Sequence, residues 1–166
     1  MKNLTCCFTG HRNIPANERT AIQKRLEFAL THLIHQGVCY FCAGGALGFD
    51  TMAALAVLKL KSAFPHIRLI LVLPCKEQTR GWAKEDAQNY NQILSQAAEV
   101  IYTSAGYHRG CMQKRNRQLV DYSRFCICYL TDWKSGAAYT VGYAKQKGLH
   151  VIHLVNSCPR QEIFPV

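Results

Sequence analysis

The chain has 166 residues, 49% of them hydrophobic and 18% charged, which excludes a disordered polypeptide and suffices for one well-cored domain. No apolar run reaches the ~18 residues of a membrane span, and Met1-Lys-Asn-Leu-Thr-Cys-Cys lacks a signal-peptide core, so a cytoplasmic location away from membranes is expected. Twenty Lys and Arg against 10 Asp and Glu leave a formal net charge of +10, which favours phosphate-bearing or polyanionic partners.

The first strand is predicted over 4–9, followed by Thr9-Gly-His-Arg12 and a helix over 16–36, whose apolar residues recur at 3–4 spacing. A second strand (38–42), a glycine turn and an alanine- and leucine-rich helix (48–62) come next, then the plainest strand of the chain at 67–73. A helix over 85–98, a short strand at 99–103, a basic helix at 112–122 and a strand at 125–130 lead to a small-residue turn at 133–136. From that turn a helix runs to Lys147, and a sixth strand occupies 150–154. The alternation predicts an α/β chain, a single three-layer α/β/α Rossmann-like domain over 1–166 with its core at 4–154 and a peripheral tail from 155. Its six-stranded sheet is expected to be mostly parallel, in the order 3-2-1-4-5-6, with ligands bound outside the carboxyl ends of the strands. The nine cysteines fall mostly in strand-like segments and read as small hydrophobes in a reducing compartment. Cys39 and Cys42 lie three apart in an extended segment, so their thiols diverge and no metal site is expected.

Four strand-end loops carry the chemistry. In the first, Thr9 and Gly10 offer a hydroxyl and a backbone amide, and Arg12 a planar fork for phosphate. His11 reads either as an acid–base group or as a hydrogen-bonded structural residue. In the second, Ala43-x-Gly45-x-x-Gly48 is a degenerate dinucleotide fingerprint beside Gly44, placing amides at a helix N-terminus where a phosphate fits. Asp50, in the first helical turn, reads as a ribose ligand or as a partner of the helix dipole. The third strand ends Leu73-Pro74-Cys75 with Glu77 as the nearest acid, a departure from an ordinary NAD-dependent dehydrogenase. The third loop feeds Lys114, Arg115, Asn116 and Arg117, an anion site or a solvated basic face. The fourth runs from Asp132 through Lys134, Ser135 and Gly136 to Thr140, with donors for a second phosphate or sugar.

Taken together, Thr9-Gly-His-Arg12, Gly44-Gly-Ala-Leu-Gly-Phe-Asp50, Arg115-Asn-Arg117 and Ser135-Gly-Ala-Ala-Tyr-Thr140 resemble the YpsA-like branch of the SLOG superfamily, in register over about 4–154. That superfamily also holds DprA-like proteins and LOG-type phosphoribohydrolases. The resemblance implies a Rossmann-like domain that binds a nucleotide or a nucleotide-sugar of the ADP-ribose or NAD type, such a nucleotide being the one bound small molecule expected. It also implies two alternatives. A LOG-like N-glycosidic hydrolase would use Arg115 with Asp50 or Asp132. Met112 and Arg115 fit the LOG pattern, but Asn116 replaces its Lys, and Val141, Gly142 and Tyr143 follow Thr140 where an acid is expected. That departure leans the reading away from an enzyme, because an oxocarbenium-like transition state needs a nearby carboxylate. A DprA-like binder of single-stranded DNA would use Arg12, Arg115, Arg117 and Lys134, with Trp82, Tyr107 and Trp133 either as stacking platforms or as core and loop packing. DprA proteins carry further domains, for which 166 residues leave no room. Homo-oligomerisation is left open, with no evident dimer patch.

Overall fold

Apolar runs with little alternation predict strands covered on both faces, and the computed structural model, which describes residues 1–155, builds its sheet that way. The peripheral tail expected from residue 155 falls, beyond Val155, outside the described residues, as does Cys158. The elements are β1 (Thr5–Gly10), α1 (Arg19–His35), β2 (Tyr40–Ala43), α2 (Phe49–Leu60), β3 (Arg68–Leu73), α3 (Lys84–Gln96), β4 (Glu99–Tyr102), α4 (Cys111–Asp121), β5 (Phe125–Tyr129), α5 (Gly136–Gln146) and β6 (His150–His153). All five strand pairings are parallel. No helix among the described residues is long and apolar enough to cross a membrane.

The sheet runs β4-β3-β2-β1-β5-β6, which corrects the expected order: the fourth strand lies outside β3 instead of beside β1. The reason is legible in β4 itself. It has four residues, opens on exposed Glu99, ends on exposed Tyr102 and buries none fully, which suits a sheet edge and not a position flanked on both sides. With β4 at the edge, β1 is free to pair with β5 along five residues, from Cys6↔Phe125 to Gly10↔Tyr129. The strand order therefore reverses between β1 and β5.

Each face has its own core. Ile22, Leu26, Leu30 and Leu33 of α1, Ala53 and Val57 of α2 and Ile93 of α3 pack with Phe8 and Phe41 on one side. Leu119, Val120, Val141 and Ala144 of α4 and α5 cover Cys7, Cys42, Cys126 and Cys128 on the other. Phe8, Phe41 and Phe49 are each at most 1% exposed, and burying such a ring contributes about 1.5–3 kcal/mol. The cysteines fill the second layer as small apolar groups, and burial pushes the Cys42 and Cys128 thiols up, so both stay protonated.

Because every strand points the same way, the segments after β1, β2, β3, β4 and β5 open onto one carboxyl rim. Helix α4 leaves β4 at the far edge and returns across the opposite face to pack on β3 and β1. Its N-terminal half thereby meets the turn between β2 and α2, as the hydrogen bond from Arg115 to Gly44 records.

Candidate functional site

The β2–α2 turn is where the rim is most constrained. Gly45 and Gly48 adopt φ of +73° and +78°, a region that L side chains rarely occupy. A Cβ on Gly48 would also collide with the backbone carbonyl of Arg12, so the β1–α1 loop lies directly against the start of α2. The Phe49 amide donates to the His11 carbonyl at 3.1 Å, and a Cβ on Gly10 would come within 2.5 Å of the Phe49 ring. Two loops separated in sequence are thus held in contact by glycines that let backbone and ring approach. Among the described residues, the amides of Gly45, Leu47 and Gly48 donate to no acceptor.

Beneath the turn lies a buried charged brace. Arg115 is 4% exposed; its Nη1 donates to the Gly44 carbonyl and its Nε to Asn116 Oδ1 at 2.7 Å. Asp50, 7% exposed, turns back into its own loop, where Oδ2 accepts from the Ala46 amide at 3.3 Å. A Cβ on Gly44 would lie 2.5 Å from Arg115 Nη1 and 2.9 Å from Asp50 Oδ2, so both charged groups occupy the space a side chain there would need. Burial pushes the Asp50 carboxyl up from its ordinary value, while the Arg115 charge and the loop amides pull it back.

Gln78 completes the brace and was not anticipated from the sequence. It is buried, donates from Nε2 to the same Gly44 carbonyl at 3.2 Å, and accepts at Oε1 from the Tyr90 hydroxyl at 3.4 Å. Trp82 lies edge-on to Tyr90 with ring centroids 5.5 Å apart. Burial raises the Tyr90 hydroxyl to about 12, so it remains a donor. A buried polar residue in an irregular loop has no periodic signature. The one usable signal was its place just beyond the end of β3, on the same rim.

The β5–α5 turn is built differently. Asp132 Oδ1 accepts from the Lys134 amide at 2.9 Å, and Ser135 Oγ donates to the Asp132 carbonyl at 2.7 Å. The same Oγ caps α5 by accepting from the Ala138 amide at 3.2 Å. His11 joins this turn to the rest: its Nε2 accepts from the Thr131 amide at 2.8 Å and the Asp132 amide at 3.2 Å. Its ring meets Tyr129 edge-on, with centroids 5.6 Å apart.

Of the residues singled out in the sequence, Arg12, Gly44, Gly45, Gly48, Asp50, Arg115 and Asn116 gather at the β2–α2 turn, His11 links it to the β5–α5 turn, and Ser135 caps α5 within that second turn. Arg12, Arg117, Lys134 and Gly136 are exposed. The Arg12 charge is felt by both Asp50 and Arg115. Thr9 is buried within β1 opposite Cys128, and Thr140 is buried within α5, bonding back to the Gly136 carbonyl at 3.1 Å. Tyr107 is 71% exposed, whereas Trp133 packs against His153 and lies under Lys145.

A family model named YpsA and described as the YspA SLOG family matches residues 6–153. The chain belongs to this SLOG family. The SPbeta prophage-derived protein YoqJ of Bacillus subtilis is 35% identical over 118 residues, which cover 64% of this chain and 69% of YoqJ. A UPF0398 protein of Halalkalibacterium halodurans is 33% identical over 141 residues, 83% of this chain and 72% of that protein. Among solved structures, DNA processing protein A (DprA) from Streptococcus pneumoniae superposes with a TM-score of 0.65 at 17% identity, over 90% of this chain and 49% of that one. DprA from Helicobacter pylori, whose structure was described for its single-stranded DNA binding mode, gives 0.64 at 19% identity, over 92% and 65%. The SLOG chain thus shares the DprA fold and spans less than two thirds of either DprA chain.

Proposed function

We propose that this SLOG protein binds a nucleotide-type ligand at its carboxyl rim, with a phosphate or diphosphate at the β2–α2 turn. The observation that carries this reading is the set of amides of Gly45, Leu47 and Gly48. They donate to no described acceptor and lie at the N-terminus of α2. Arg12, exposed beside that turn, is the guanidinium available for the anion. Arg115 acts from below by fixing the Gly44 peptide, and Asp50 by holding the Ala46 amide. An ADP-ribose or NAD-like ligand is the finer form of the proposal, since it would bring a diphosphate to the glycine turn and sugar hydroxyls to the donors of the second turn, which His11 holds beside it.

Calorimetric titration with AMP, ADP, ADP-ribose and NAD tests it. Binding tighter than about 1 mM to at least one is expected, weakened about tenfold by Arg12→Ala. Absence of heat across the panel overturns it.

A second reading, single-stranded DNA binding, has its own support: two DprA structures share the fold, and the chain carries a net charge of +10. Exposed Arg12, Lys134 and Tyr107 supply charge and one stacking surface. This reading requires oligothymidylate affinity to fall by more than about tenfold between dilute and physiological salt. A flat salt response dismisses it.

A further inference from the structure

We propose that His11 is a proton-sensitive clasp, a positioning residue that holds the β5–α5 turn against the end of β1 only while its ring is neutral. The geometry leaves little choice of tautomer. Two backbone amides, from Thr131 and Asp132, converge on the one nitrogen Nε2 at 2.8 and 3.2 Å. Both are obligate donors, so Nε2 must be the bare acceptor and Nδ1 must carry the proton. Protonating the ring would set a third N–H against two others, and the attraction would become repulsion. Meanwhile the backbone carbonyl of the same residue takes the Phe49 amide at 3.1 Å. One residue therefore ties the glycine turn to the second turn across the point where strand order reverses.

The surroundings decide where such a ring titrates. From the β5–α5 turn, the Asp132 carboxylate favours the proton, but it is itself engaged by the Lys134 amide. From β5 comes Tyr129, edge-on and neutral, whose hydroxyl donates to Glu18 Oε2 at 3.3 Å. From α2 comes Phe49, which is apolar, and next in the chain stands Arg12, whose side chain is exposed. Burial pushes the imidazole below its ordinary value, and Asp132 pulls the other way. A histidine depressed in the folded state contributes fully above its unfolded value of about 6.5, and the contribution is lost as pH falls toward the folded value. The clasp is therefore closed at neutral pH and opens on acidification, at a pH below the ring's ordinary value. Given the anion site proposed above, opening moves Lys134 and the α5 N-terminus out of line with the glycine turn, so anion affinity falls with it.

Nitrogen-15 NMR of the full chain tests the clasp without ligand. The Thr131 and Asp132 amide resonances are expected to titrate with the same midpoint as the His11 ring, whose Nε2 carries no proton at neutral pH. His11→Gln restores an acceptor where Nε2 lies but does not titrate, whereas His11→Leu removes the acceptor. ADP-ribose serves as the anion probe because its diphosphate stays ionised across the range. Wild-type affinity is expected to drop about tenfold from the alkaline to the acid side of the His11 midpoint read by NMR, the loss of two net hydrogen bonds. His11→Gln should bind with no such drop, and His11→Leu should be weak throughout. Amides that ignore the ring titration overturn the proposal, as does a His11→Gln protein that keeps the wild-type pH profile. Titrating amides without ADP-ribose binding refute the anion site alone and leave the clasp standing.

Discussion

Two small-residue turns at helix N-termini look like twins in the sequence, yet they are stabilised by opposite means. The β2–α2 turn is held from within by Arg115, Asp50 and Gln78, which reach the loop from two other elements and from its own helix. The β5–α5 turn is exposed, closes on itself through Asp132 and Ser135, and meets the rest of the rim through His11. A loop braced by buried charge resists deformation but is costly to disturb. A self-capped loop is cheap to alter and can be released by one proton. The first turn is suited to presenting fixed amides, and the second to adjusting.

That contrast can be broken in order of size. Arg115→Leu should cost about 3–5 kcal/mol in urea denaturation, because it removes the larger of the two cationic charges that offset the buried Asp50 carboxylate. The double variant with Asp50→Asn should cost less than the sum of the two single changes. Full additivity would show that the brace is not one unit. Gly48→Ala should lose about 1–3 kcal/mol, from its positive φ and its contact with Arg12. Ser135→Ala should cost about 1 kcal/mol as a lost cap. Gly136→Ala reverses the sign. A Cβ there meets nothing within 4 Å and φ is not positive, so a gain of about 0.4–1 kcal/mol is expected from calorimetric melting. Equal penalties at Gly48 and Gly136 would erase the distinction between the turns.

Acid separates them too. Asp50 is raised by burial, so its folded form favours the proton, and its contribution improves as pH falls toward the ordinary carboxyl value of 3.8. His11 is lowered, so its contribution worsens over its own window. Asp50→Asn should therefore fall further behind the wild type on acidification, by less than about 1.4 kcal/mol per pH unit, the limit for one proton.

The alternation of strand and helix, the shared rim and the glycine turn were readable because apolar runs and glycine spacing report local geometry directly. Strand order was not. The short run Glu99-Val-Ile-Tyr102 carried an edge signature that periodicity alone does not weigh, and the position of α4 depends on it. For the same reason Arg115 read as an anion ligand or a solvated charge. Nothing in Lys114-Arg115-Asn116-Arg117 shows which of its neighbouring cations is buried until α4 is laid across the sheet. His11 read as an acid–base group or a structural one, and its acceptor role required the Thr131 and Asp132 amides to be placed.

The chain contains two tryptophans, and each falls beside one of these turns: Trp82 rests on Tyr90 behind the glycine turn, and Trp133 sits inside the second. The molecule thus carries a separate optical reporter for each half of its rim. Replacing one indole at a time with phenylalanine would let intrinsic emission tell which half responds when a solute arrives or the solution is acidified.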